Sequence, residues 1–185
     1  MKEKTSAFTM AELIVGAAIM AVLVLIMVVG LTQNYSILQT SKVINNFQND
    51  ARIAIIKIAK DLRRTTLTQI AIQKNIPSAG CDKLTYHLPL LDANNTPSVS
   101  NGVLLWDSNS IVVLLDANNA GNLIRTDASG TTILARNVKY ITFNDINNIP
   151  QLPLSELKIA LGFQATSFGN RTLNYNSTTV INMRN

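Results

Sequence analysis

Nineteen consecutive residues, Leu13 to Leu31, carry no charge and are mostly Ala, Val, Ile, Leu and Met. As an α-helix the run would span about 28 Å, close to the hydrocarbon thickness of a bilayer. The apolar core of a secretory signal is shorter, about 7–15 residues. A helix apolar on every side can also be buried, but only inside a protein large enough to surround it. With 185 residues the chain has room for one modest domain, or a small domain plus one accessory element. A membrane-spanning helix is therefore the expectation for this segment.

Charge is distributed unevenly around that run. Residues 1–41 contain Lys2, Glu3, Lys4 and Glu12 and sum to zero, and residues 75–185 contain seven basic and seven acidic residues. Residues 42–74 hold seven basic and two acidic residues, so the whole net charge of +5 lies there. Only 15% of the chain is charged and 47% is hydrophobic, which excludes a disordered chain. One Cys and one His exclude a disulfide framework and zinc sites built on several thiolates or imidazoles.

Glu12 stands at the edge of the apolar run, four residues after Phe8. A carboxylate there is costly without a partner, and no Lys or Arg follows it before Lys42. Cleavage just before Phe8 would create an α-amine one helical turn away, on the same chain or on a neighbour. The segment Lys4-Thr5-Ser6-Ala7-Phe8-Thr9-Met10-Ala11-Glu12-Leu13 resembles the processing site of type IV prepilins and type II secretion pseudopilins. That family has a short basic leader, a small residue before the cut, Phe after it, Glu at the fifth mature position and then a long apolar helix. The resemblance implies a leader of residues 1–7, cleavage between Ala7 and Phe8 by a prepilin peptidase, N-methylation of Phe8, and an assembly role for Glu12. It further implies other pilin or pseudopilin subunits, an inner-membrane assembly platform and membrane lipid as partners. The family usually has Gly where this chain has Ala7. The implied location is the bacterial inner membrane, single-pass, with the C-terminal domain outside the cytoplasm. Lys2 and Lys4 agree with that orientation, and the later basic stretch opposes it.

Residues 8–31 are thus read as a transmembrane or filament-core half-helix, and 32–76 as its amphipathic continuation. No Pro or Gly interrupts the chain between Leu31 and Ile76. At 100° per residue, Ile44, Phe47, Ala51, Ile55, Ile58 and Leu62 fall within about 80° of one another. Lys42, Arg52, Lys57, Lys60, Arg63, Arg64 and Lys74 fall opposite. The helix is expected to reach about Ile72. A domain of this size cannot cover so long a helix, so its first half is expected to meet lipid or other subunits. The family often kinks this helix at a proline, which is missing here, so a straighter helix or one softened near Gly30 is expected. The basic face reads as a solvated face, or as one facing acidic neighbours or lipid headgroups. A nucleic-acid site is disfavoured, because no aromatic residues interleave the basic ones as a stacking platform requires.

Pro77, Ser78 and Gly80 end the helical pattern and open a β-rich domain, 77–185. Alternation marks strands at Lys83–Leu88, Gly102–Trp106, Ile111–Leu115, Asn122–Asp127, Thr131–Ala135, Val138–Asn144, Leu157–Gln164 and Asn174–Met183. The expected fold is α+β and pilin-like, with a long N-terminal helix packed on a mostly antiparallel sheet. Leu-Leu-Asp-Ala-Asn-Asn occurs at 90–95 and again at 114–119, read as two similar strand exits. Asp116, Asn118 and Asp127 echo a calcium loop only weakly, since Ala120 takes a ligand position and the bidentate Glu is missing. Neither a metal nor a cofactor is expected. Asp50-Ala51-Arg52, Lys60-Asp61-Leu62-Arg63-Arg64, Leu123-Ile124-Arg125, Ile133 to Val138, Phe143 and Thr179 to Asn185 are similar to J-type minor pseudopilins and related minor pilins.

No catalytic constellation is apparent. His87 reads as a structural or solvent-facing residue, Trp106 as core, and Cys81 as a buried thiol. The implied function is structural: a minor subunit of a type II secretion pseudopilus or a type IV pilus, in its initiating or tip complex. The alternatives are a tip-located binding module for DNA uptake or adhesion, and a plain single-pass anchored domain.

Overall fold

The computed structural model describes residues 9–184 except 120, 151, 154, 168 and 169. Its first element is a single α-helix, α1, Met10–Leu62, of 53 residues. Gly16 and Gly30 both lie inside it without interrupting it. The chain divides into two compact units, Met1–Lys42 and Val43–Asn185. The second contains the last turns of α1 and ten strands, so the fold is α+β with a long N-terminal helix and antiparallel sheets.

The helix stops about ten residues before the expected end near Ile72. Beyond Leu62 the chain turns at Arg63 and Arg64 and makes a short 3-10 turn, Leu67–Gln69. It then enters β1, Ile70–Gln73. Thr65, Thr66, Thr68, Ile70 and Ile72 are β-branched, which favours extended backbone. Thr65 is fully buried, and its hydroxyl donates to the His87 carbonyl at 2.8 Å. The Ile70/Ile72 alternation suits a strand, and β1 pairs antiparallel with β2, Lys83–Pro89, Ile70 facing Tyr86.

A five-stranded sheet runs β1-β2-β5-β6-β7, with β5 Trp106–Leu115, β6 Leu123–Asp127 and β7 Gly130–Ala135. A three-stranded sheet runs β10-β9-β8, with β8 Val138–Asn144, β9 Glu156–Ser167 and β10 Arg171–Asn182. A two-stranded ribbon joins β3, Val99–Ser100, to β4, Val103–Leu104. Every ladder between strands is antiparallel. The single expected strand Gly102–Trp106 is divided between β4 and the start of β5, and β1 and β3 were not legible as strands.

The core of the second unit lies where α1 meets both larger sheets. Phe47, Ala51, Ala54, Ile58 and Leu62 are buried on the helix, spaced three and four apart as a helical stripe requires. Ile44 and Ile55 of the expected stripe are half-buried, whereas Ala54 and Ala59 are buried. Leu84, Tyr86, Val113 and Leu123 from one sheet, and Ile141, Phe143, Leu157, Ile159, Leu161 and Phe163 from the other, complete one cluster. The Phe47 ring stacks on Phe163 with centroids 5.5 Å apart. At the seam between the sheets, the Asp82 amide donates to the Ile141 carbonyl at 2.8 Å. The buried Asp82 carboxylate accepts from the Phe143 amide and from Lys74 Nζ, each at 2.9 Å.

Candidate functional site

The helix start is built from Thr9-Met10-Ala11-Glu12. Thr9 precedes the first helical residue, and Glu12 is the third. The Glu12 amide donates to Thr9 Oγ1 at 3.3 Å, while Glu12 Oε2 accepts from the Thr9 amide and hydroxyl, both at 2.9 Å. This is a reciprocal capping box, which satisfies amides that a helix N-terminus otherwise leaves without partners. The carboxylate also faces the positive end of the helix dipole. A carboxylate that had no charged partner in the sequence therefore has a local, neutral one. The Thr-x-x-Glu spacing is the signal that could have revealed it. Ala7 and Phe8, the expected cleavage and methylation positions, lie outside the described residues, as does the expected leader.

From Leu13 to Leu38 the large apolar side chains of the first unit are exposed, Leu25 and Leu38 by about two thirds. The most apolar 18-residue window has a mean hydropathy of 3.0, and none of it is buried. The helix is long and apolar enough to cross a membrane. Unlike a core helix, it buries no part of that window against the chain's own residues.

Most of the expected basic face is present as such. Lys42, Arg52, Lys57, Lys60 and Arg63 are exposed and Arg64 is half-buried, and among the described residues none of them forms an ion pair. Lys74 is the exception. It follows β1 rather than continuing the helix, and its ammonium ties Asp82 to the Phe143 carbonyl and to Asn144 Oδ1.

A second polar network lies between α1 and the five-stranded sheet. Asp61, near the helix C-terminus where a carboxylate opposes the dipole, accepts from the Tyr86 hydroxyl at 2.8 Å and from Arg125 Nε at 3.0 Å. Arg125 also pairs with Asp127. Burial, and then Asp61, push the Tyr86 hydroxyl above its usual range. Burial alone would lower the Arg125 guanidinium, but the neighbouring Asp127 and Asp61 carboxylates outweigh it and hold it high. The Ser129 hydroxyl, followed by Arg125, holds Asp127 down at about 2. This network positions the sheet on the helix, and sequence reasoning missed Asp61 and Tyr86 as its members.

The weak metal candidates are placed apart. Asp116 follows β5 beside the Leu123 end of β6, and Asp127 closes the other end of that strand. The Asp116 carboxylate accepts from the Asn118 amide at 2.9 Å and from Asn119 Nδ2 at 3.0 Å, contacts that lower its pKa. Among the described residues no group of three His, Cys, Asp or Glu side chains is placed to hold a metal ion. His87 is half-buried with Nδ1 at 2.9 Å from the Asp107 carbonyl. Cys81 is a buried free thiol, and Trp106 is half-buried.

The geometry thus offers an apolar helix with a capped start, carried by a folded α+β domain. No protein-family model and no curated protein matches the chain.

Proposed function

We propose that this chain is a structural subunit of the pilin and pseudopilin kind, inserted through its N-terminal helix and assembled with other subunits through that same helix. The observation that carries the reading is one uninterrupted helix, Met10–Leu62, whose first part exposes its apolar residues and whose last turns form a domain core. In this reading residues 1–7 are removed by a prepilin peptidase, and Phe8 is methylated. The apolar half-helices then leave lipid to pack together in a filament core, drawn out of the inner membrane by an assembly platform. Glu12, already held by Thr9, pairs with the α-amine of a neighbouring Phe8, so that two charges are neutralised when both are buried. The resemblance of its C-terminal segments makes a minor subunit of an initiating or tip complex the preferred position, with no catalytic role.

A second reading has a specific observation in its favour. The Thr9–Glu12 box gives Glu12 a role in the helix itself, which suits a single-pass anchored domain that assembles with nothing. One measurement separates the two: the N-terminal sequence and intact mass of the protein from membranes containing a prepilin peptidase. A chain starting at N-methylated Phe8 is expected. A chain still starting at Met1, in cells that process their other prepilins, would overturn the pilin reading in favour of the anchored domain.

A further inference from the structure

The two copies of Leu-Leu-Asp-Ala-Asn-Asn, at 90–95 and 114–119, part at the next residue: Thr96 follows the first and Ala120 the second. Asn94-Asn95-Thr96 therefore has the acceptor pattern for N-linked glycosylation of surface loops outside the cytoplasm, Asn followed two residues later by a hydroxyl. Three further triplets share the pattern: Asn34-Tyr35-Ser36, Asn170-Arg171-Thr172 and Asn176-Ser177-Thr178. Only Asn94 has an acid two residues before it, Asp92, where the others have Thr32, Phe168 and Asn174.

The fold separates the four triplets as well. Asn34 to Ser36 lie inside α1, where the helix uses their main-chain groups. Asn176 to Thr178 pair with β9, opposite Gly162, Leu161 and Ala160, and Arg171 and Thr172 begin the same ladder. Residues 92–96 belong to no helix or strand, and all five are exposed. Their turn is closed at its base by the Leu91–Pro97 bridge and by the Asp92 amide, which donates to the Thr96 carbonyl at 2.9 Å. Within it the Asp92 carboxylate accepts from the Asn94 amide at 2.8 Å, the Thr96 amide at 2.9 Å and the Thr96 hydroxyl at 2.8 Å. Asn94 is thus held midway round the turn, and its side-chain amide makes no hydrogen bond among the described residues. The Asp116 carboxylate accepts from the Asn118 amide at 2.9 Å, so the turn starts alike in both copies, and the hydroxyl marks the difference.

We propose that Asn94 is an acceptor for an oligosaccharide transferred from a polyprenyl diphosphate by a membrane oligosaccharyltransferase. The Asn94 side-chain nitrogen attacks the anomeric carbon of the donor sugar. A C–N bond forms, the C–O bond to the diphosphate breaks, the diphosphate leaves with that electron pair, and the amide gives one proton to a base of the enzyme. An amide nitrogen is a weak nucleophile, because its lone pair is shared with the carbonyl, so the enzyme must grip the residues on either side. Thr96 offers it a hydroxyl, and Asp92 offers a carboxylate that a cationic side chain can pair with. The bonds between Asp92 and Thr96 are exposed, so exchanging them for bonds to the enzyme costs little. No proline stands between Asp92 and Thr96, and Pro97 comes after them. The transfer takes place on the outer side of the membrane, so the inference rests on the reading that the domain after the apolar helix lies outside the cytoplasm.

The test uses the full-length chain made in bacterial cells that carry the lipid-linked oligosaccharide and its transferase. A flexible acceptor, Asp-Gln-Asn-Ala-Thr, is appended after Asn185 as a marker of orientation. Protein extracted from membranes should be heavier by two oligosaccharides, one on the appended acceptor and one mapped by peptide mass spectrometry to Asn94. Asn94→Gln and Thr96→Ala should each remove the second, and Thr96→Ser should retain part of it. Asn118, in the copy without the hydroxyl, should stay bare. A modified marker beside a bare Asn94 would overturn the inference and leave the orientation standing. A bare marker and a bare Asn94, in cells that modify a secreted control protein, would overturn the orientation and the inference with it. A glycan that survives Thr96→Ala, or that maps to Asn34, Asn118, Asn170 or Asn176 in place of Asn94, would overturn the inference too. Circular dichroism matching the parent would show that each variant is folded.

Discussion

The proposed function gives Glu12 an assembly role beside its observed capping role, and the two can be separated at the level of single side chains. As the third residue of a capping box it shares its work with Thr9, and losing either partner costs about 0.5–2 kcal/mol of helix stability. As an assembly charge it acts alone, because Thr9 carries none. Both Thr9→Ala and Glu12→Ala should therefore still insert in membranes. Only Glu12→Ala should fail to co-purify with partner subunits, while Thr9→Ala retains most of that association. Equal loss in both variants would mean that the cap is the whole of Glu12's contribution. The carboxylate is legible in the sequence as an anomaly, but its Thr9 partner is neutral, so charge complementarity does not point to it. Spacing alone sets Lys74 on the helix face, whereas it stands against a buried Asp82 that comes eight residues later.

At the scale of elements, β9 depends on a close approach that only one residue type permits. A Cβ on Gly162 would lie 2.1 Å from Tyr140 Cε1 on the neighbouring strand β8. Tyr140 is half-buried against the core, so its ring has little freedom to retreat. Gly162→Ala should lower the stability of the domain by about 1–3 kcal/mol, as other overpacked cores do. Adding Tyr140→Leu should restore part of that loss, measured by urea unfolding. A single variant as stable as the parent would show that the ring moves aside freely. β9 was also the most readable strand, since Leu157, Ile159, Leu161 and Phe163 alternate strictly on one face. β1 was the least readable. Its four residues are too short an alternation to mark a strand after a long helical segment, and the choice was made by pairing with Tyr86 and Leu84, which no local pattern encodes.

For the whole molecule, the division into two compact units suggests a separation of tasks between an apolar helix and a domain with its own core. Phe47 is the first buried residue of that core. Deleting residues 1–35 should therefore give a water-soluble fragment with a cooperative thermal transition and a β-rich circular dichroism spectrum. An aggregated or unfolded fragment would show that the core needs the first unit. The sequence alone determined the long apolar helix, the α+β class, and most strand positions, because hydrophobic run length and period-2 alternation are local properties of the chain. It also carried the Thr-x-x-Glu helix start. Only the tertiary structure decided where the helix stops, how the strands divide into three sheets, and that Asp61, Tyr86 and Arg125 meet. It also decided that β10 is left as a bare edge. Each of these depends on which distant segment supplies a hydrogen-bond partner or covers a side chain, and the free energy of that choice belongs to residues as distant in sequence as Phe47 and Phe163.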